Sequence, residues 1–204
     1  MLIIIMTSLE IDRLINEISK LPGLGRKSAQ RIALHILQNR DLALLPLVKS
    51  LHEANNKIIN CDSCGNIDTI NPCSLCSNQK RDSQTICIVE DVSDLWTFER
   101  IGFFKGLYHI LGGSLSAING ITSNDLFINK LFNRIEKQEV REIILALSTT
   151  MEGQTTSHVI SDKLEKFSNL KITKLAQGVP IGGEVHYLDE NTLHEAFQSR
   201  KQIN

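Results

Sequence analysis

The 204-residue chain has no apolar run long enough to cross a bilayer, no excess of either charge and no bias toward disorder-promoting residues. A membrane helix needs about 20 consecutive apolar residues, whereas the apolar start from Met1 to Met6 is far shorter and has no basic flank. It is read as neither a span nor a secretory signal, and Met6 is expected to be the working initiator. With 22 basic and 23 acidic side chains the formal net charge is −1, so the molecule as a whole exerts no pull on nucleic acid. Gly182-Gly183 is followed by no Lys-Ser or Lys-Thr pair, which disfavours a nucleotide-hydrolysing phosphate loop. What is present, 42% hydrophobic and 22% charged residues, is an ordinary globular composition sufficient for one medium domain or two small ones.

Four of the five cysteines, Cys61, Cys64, Cys73 and Cys76, stand as C-x2-C-x8-C-x2-C. Two such knuckles bring four thiolates around one ion, and tetrahedral Zn2+ is the leading occupant, one per chain. A rubredoxin-like iron site and a pair of disulfides are the alternatives. Gly65 can take the positive φ that a knuckle turn requires, and Pro72 stiffens the approach to the second pair. Four protein ligands leave no open coordination position, so the role expected of the metal is structural. Between Cys61 and Cys76 there are two acids, Asp62 and Asp68, and no base, which argues against a finger that touches DNA. Cys87 falls within an apolar run and is expected in the core.

Charge is unevenly distributed. From residue 18 to residue 40 there are five bases (Lys20, Arg26, Lys27, Arg31 and Arg40) and no acid. Leu9, Ile11, Leu14, Ile15, Ile18 and Leu21 recur at helical spacing, Pro22-Gly23-Leu24-Gly25 interrupts them, and Ala29, Ile32, Ala33, Ile36 and Leu37 form a second stripe. Helix, hairpin, helix is the expectation, with Lys27 and Arg31 opposite the buried stripe. A positive φ at Gly23 or Gly25 would turn amides outward at a helix start, where an anion such as a DNA phosphate is favoured. Leu34 projects on the basic side and suggests that part of this face meets protein. An αα-corner that binds nothing is the plain alternative. A further helix is expected over residues 41–60.

From residue 85 strands alternate with helices: strands over 85–89, 106–111, 142–147 and 171–176, helices over 93–100, 123–137 and 154–167. That alternation predicts a parallel sheet covered on both sides, with ligands at the carboxyl ends of its strands. Glu90, Asp91 and Asp94 follow the first strand, Gly112-Gly113 the second, and 148–153, including Glu152, the third. Carboxylates at strand ends can hold Mg2+ for phosphoryl transfer. Asp94 could instead cap the helix that follows, and His109 is expected to be buried and hydrogen-bonded.

Ile88-Val89-Glu90 and the alternation around it resemble the Toprim fold of topoisomerases, primases and some nucleases. The order of elements, together with Leu21-Pro-Gly-Leu-Gly25, Lys27-Ser-Ala-Gln-Arg31, the cysteine quartet, the run from Gly106 to Gly113 and the run from Gly178 to Gly183, resembles the RecR family of bacterial recombination mediators. The resemblance extends over essentially the whole chain from about Thr7. It implies a multidomain α+β and α/β protein: a helix-hairpin-helix domain (1–56), a four-cysteine zinc module (57–82), a Toprim domain with a Rossmann-like parallel sheet (83–176) and a C-terminal Walker-B-like oligomerisation segment (177–204). His186 stands where many relatives carry an acid, which puts a charge-based role there in doubt.

The resemblance further implies DNA contacts by Gly23, Gly25, Lys27 and Arg31 without sequence preference, and an acidic Toprim surface at Glu90, Asp94 and Glu152 that engages RecO. RecF is a second implied partner, RecA loading the outcome, and a ring-like homotetramer in the cytoplasm, at the nucleoid, the working form. A single hairpin with two or three phosphate contacts binds DNA weakly at physiological salt, which argues independently for several copies. Catalytic Toprim enzymes add an Asp-x-Asp after the third strand, and this chain has Ser148-Thr149-Thr150 there. Bound Mg2+ and catalysis are therefore not expected. The alternative is a Mg2+-dependent nuclease or primase-like enzyme using Glu90 and Glu152, and a purely protein-binding scaffold is a third possibility.

Overall fold

The computed structural model describes residues 8–200 and residue 202. The apolar start, Met1 to Met6, and with it the choice of initiator, lies outside the described residues. Two compact units divide the chain at Ile58 and Ile59.

The first unit is helical. Ser8 caps α1 (Leu9–Ser19) by accepting a hydrogen bond from the Ile11 amide, and α2 (Arg26–Gln38) packs against it. The contact between them is made by buried Ile15, Ala29 and Ala33, flanked by Ile11, Leu14 and Ile18, and Ile36 is buried further along α2. The alanines let the helices approach closely. Ile32, expected on the buried stripe, is exposed, as are Leu9 and Leu21. The helix expected over 41–60 is shorter: a π-helical turn (Arg40–Leu44) leads into α3 (Leu45–Lys57). Pro46 explains the restart. It has no amide to donate and is tolerated only in a helix's first turn, which is where it falls. Not one residue of α3 is buried.

The second unit opens with a small antiparallel hairpin, β1 (Ile59–Asn60) with β2 (Ile67–Asp68). It continues as β3 (Asp82–Val89), α4 (Val92–Ile101), β4 (Gly106–Ile110), α5 (Ile128–Lys137), β5 (Glu142–Leu145), α6 (Met151–Leu164), β6 (Lys171–Lys174), a 3-10 turn (Val185–Tyr187) and α7 (Glu190–Gln198). The four longer strands form one parallel sheet in the order β4-β3-β5-β6. Alternation along β3 sends Ile86 and Ile88 to one face, with Leu107, Leu131, Ile143 and Ile160, and Cys87 and Val89 to the other, with Leu95 and Tyr108. Burial pushes the Cys87 thiol up to about 12, as befits a core residue. His109 is buried too; its Nε2 donates to the Phe127 carbonyl at 3.0 Å, and burial pushes its pKa down to about 4.

Helix boundaries differ from expectation where side chains hydrogen-bond the backbone. The helix expected from residue 123 begins at Ile128, because Asp125 accepts from both the amide and the hydroxyl of Thr122 and holds a turn there. The one expected from 154 begins at Met151, because Thr150 caps it through the Gly153 amide. Gly153 is needed for space: a Cβ there would run into the Ser148 carbonyl. In an exposed helix Gly→Ala gains up to about 1 kcal/mol. Gly153→Ala is instead expected to cost roughly 1–3 kcal/mol, lowering the melting temperature by several degrees in a thermal scan, at about 2–4 °C per kcal/mol. An unchanged or raised melting temperature would show that the close approach is not constraining.

Candidate nucleic-acid interface and metal centre

Between α1 and α2 the chain turns in four residues. The Leu24 amide donates to the Leu21 carbonyl at 3.1 Å, with Pro22 and Gly23 at the corners and φ +77° at Gly23. That is a type II turn, in which proline presets the first corner and glycine accepts the second. Gly25 is the N-cap of α2 with ordinary φ −82°, so left-handed backbone does not account for a glycine there. It brings no side-chain acceptor, and the first turn holds no acid. The leading amides of α2 are thus left for an outside acceptor. Arg26 is drawn back to α1 by Asn16 at 2.7 Å and Asp12 at 3.8 Å, and Lys20 pairs with Glu17 at 2.7 Å. Lys27 and Arg31 are exposed and form no ion pair among the described residues. The hairpin sorts its bases into two that brace the fold and two that face outward.

In the second unit the four knuckle cysteines come together, all four Sγ atoms lying within 4.8 Å of one another. Zn–S bonds of about 2.3 Å place tetrahedral sulfurs roughly 3.8 Å apart, and Cys64 and Cys73 Sγ are 3.6 Å apart. All are free thiols, so the paired-disulfide alternative is not what this fold builds. Backbone amides point at the sulfurs: Asn66 toward Cys64 at 3.4 Å and Cys73 toward Cys61 at 3.3 Å. Gly65 takes φ +80°, as the knuckle requires. The Cys64 thiol is pushed up, first by its hydrogen bond to Cys76 and then by burial, while Cys76 is pulled down by the same bond and by the Arg134 guanidinium.

The knuckles lie against the sheet. The Ile110 amide, on the outer edge of β4, donates to the Cys64 carbonyl at 2.8 Å. Two residues back, the Tyr108 carbonyl on that edge accepts from Arg134 Nη1 at 2.6 Å, and Nη2 of the same guanidinium stands 3.9 Å from Cys76 Sγ. Arg134 does not figure among the expected site residues. Its signal in the sequence is a base on the apolar stripe of α5, between Leu131 and Ile135.

At the strand ends the acids have local duties. Glu90 Oε1 accepts from the Ser148 amide at 2.8 Å, and its carbonyl accepts from Gly112 and Gly113 at 2.9 and 3.0 Å. Asp91 caps α4, and Asp94 closes a capping box by accepting from the Asp91 amide at 3.1 Å. Glu90 and Asp94 share a shallow depression of about 290 Å3 with Thr97, Phe98 and Ser148, and Glu152 is not part of its lining. Among the described residues the cysteine set is the one group in which three or more metal-ligating side chains converge.

Family models match three segments: the RecR helix-hairpin-helix over residues 11–55, the Toprim domain over 84–176 and the RecR C-terminal region over 178–201. A protein named Recombination protein RecR from Hyphomonas neptunium is 51% identical over 194 residues, covering 95% of this chain and 96% of the relative. This chain belongs to the RecR family. A relative of the same name from Bartonella bacilliformis is 50% identical over 95% of this chain and 96% of its own length. One from Erythrobacter litoralis is 46% identical over 97% of this chain and all of the relative. These RecR relatives are named for recombination and not for an enzymatic activity. Among the described residues no helix is long and apolar enough to cross a membrane.

Because the knuckles are the clip on the β4 edge, losing two ligands should loosen the second unit. Cys61→Ser with Cys64→Ser is expected to lower its melting temperature by roughly 10 °C, a few kcal/mol at about 2–4 °C each. Calorimetry of parent and variant checks this, and equal transitions would refute it.

Proposed function

We propose that this chain is a non-enzymatic, DNA-binding mediator of recombinational repair. In this proposal it acts with RecO, and with RecF in some settings, to let RecA load on gapped DNA coated by single-strand-binding protein. The observation that carries the proposal is the α1–α2 hairpin, where uncapped helix amides stand beside two outward bases with no partner in their own chain among the described residues. Backbone amides and cations recognise phosphate and carry no base readout, so binding follows charge and shape. DNA contact is assigned to Gly23, Gly25, Lys27 and Arg31. The cysteine quartet is assigned one structural Zn2+, supported by its spacing and amide-to-sulfur bonds. Glu90, Asp94 and Glu152 are assigned to an acidic surface for a protein partner. The setting is the bacterial cytoplasm, at the nucleoid.

The working form is proposed to be a homotetramer built from dimers. Leu45, Val48 and Leu51 on α3, and Ile181, Tyr187 and Phe197 in the C-terminal segment, are exposed apolar residues at the two ends of the chain. Covering both with other copies would bury them and multiply the DNA contacts.

Lys27→Ala with Arg31→Ala is expected to weaken duplex binding at least about tenfold and to flatten the salt dependence by about two units of log–log slope, one per lost phosphate contact. Fluorescence anisotropy across a salt series, with and without RecO, reads both. Parent-like binding would remove the hairpin from the interface. Labelled DNA incubated with Mg2+ or Mn2+ is expected to stay intact, and cleavage abolished by Glu90→Gln would replace the mediator with a phosphoryl-transfer enzyme.

A further inference from the structure

Arg134 is a permanently charged side chain only 6% exposed, projecting from a helix whose neighbours Leu131 and Ile135 are core. Its three polar contacts are the Tyr108 carbonyl, reached from Nη1 at 2.6 Å, the Gln138 side-chain oxygen, reached from Nε at 3.3 Å, and Cys76 Sγ, 3.9 Å from Nη2. No carboxylate pairs with it among the described residues. A buried cation with only neutral dipoles around it is strongly destabilising. A half-buried base near this strand, Arg81, has the usual remedy in Glu99 at 2.5 Å. Arg134 lacks one unless the cysteines are thiolates.

Four thiolates around a divalent cation carry a net charge of −2, and Cys61, Cys64 and Cys73 are buried with it. That dianion needs a cation as much as Arg134 needs an anion. We propose that Arg134 is the counter-ion and positioning residue of the metal–thiolate centre, an inference that rests on the zinc assignment. It neutralises half of the centre's charge through Cys76. Because the same planar fork holds the Tyr108 carbonyl, the metal site is bound electrostatically to the edge of β4. Lysine, a single point charge on a flexible stem, supplies the charge without the two-pronged reach.

The test uses the full-length protein under reducing conditions, with zinc content measured by elemental analysis and retention by competition with a chromogenic chelator. The parent is expected to hold one zinc per chain. R134Q is expected to surrender it at roughly 10–100-fold lower chelator concentration, with R134K between the two and several-fold below the parent. Cobalt substituted for zinc adds a readout that loss of the Tyr108 hydrogen bond alone would not move: the thiolate-to-cobalt charge-transfer band shifts in R134Q. Q138A, which removes a neutral partner, leaves retention unchanged. Parent-like retention and an unshifted band in R134Q would overturn the proposal. Should R134Q not fold, R134K decides, and parent-like retention by it is equally fatal. A parent that takes up no metal would instead bring down the zinc assignment itself, and this inference with it.

Discussion

Every open sheet must dispose of the amides and carbonyls along its outermost strands, and in the second unit that problem concentrates on β4. This strand carries Leu107, Tyr108 and Ile110 into both layers of the core, yet only β3 pairs with it. Its other side is closed by two unlike donations, Ile110 to the Cys64 carbonyl and Arg134 to the Tyr108 carbonyl. The cysteine module therefore does more than punctuate the chain. It substitutes for a missing fifth strand, and the α5 arginine completes the seal. A loop of this length could not hold such a position by apolar contact alone, because its buried residues are almost all cysteines.

Glu90 illustrates a second economy. Its carboxylate and its carbonyl reach in opposite directions, to the turn after β5 and to the diglycine after β4, so one residue ties three parallel strands at their carboxyl ends. Toprim enzymes use a glutamate at this point of the fold for chemistry, and in this chain the same position carries a hydrogen-bonding duty within the sheet. Asp94 is engaged likewise in the cap of α4. Acids with such duties are held in fixed orientation, which suits a recognition surface.

Much of this was legible beforehand. Periodicity marks α1 to α6 and the four sheet strands, because the stripes of α1 and α5 and the apolar runs of β3 and β5 are set by burial, and burial writes itself into spacing. The helix α7 is not among them, and like α3 it has no buried residue, so burial does not separate the two. Cysteine spacing marks the cluster of four because ligand geometry permits few spacings. Helix starts differ at Ile128, where an Asp–Thr bond holds a turn in place of helix, and at Met151, where the Thr150 cap extends the helix by most of a turn. Arg134 escapes the sequence pattern for a different reason. Its partners lie at Tyr108 and Cys76, far off in sequence, and a base on an apolar stripe announces an exception without naming its cause.

The unequal burial in the two units bears on how the protein behaves at low copy number. The first unit has three fully buried core residues in its main cluster, and its third helix has none. In the proposed tetramer, a fold so thinly packed would draw stability from the copies that cover Leu45, Val48 and Leu51, and mass action would then link its folding to association. Dilution would then soften the first unit, and its melting point would become a measure of protein concentration. On that proposal the chain carries, in residues 8–58, a module that would be most rigid where molecules of its kind are crowded together.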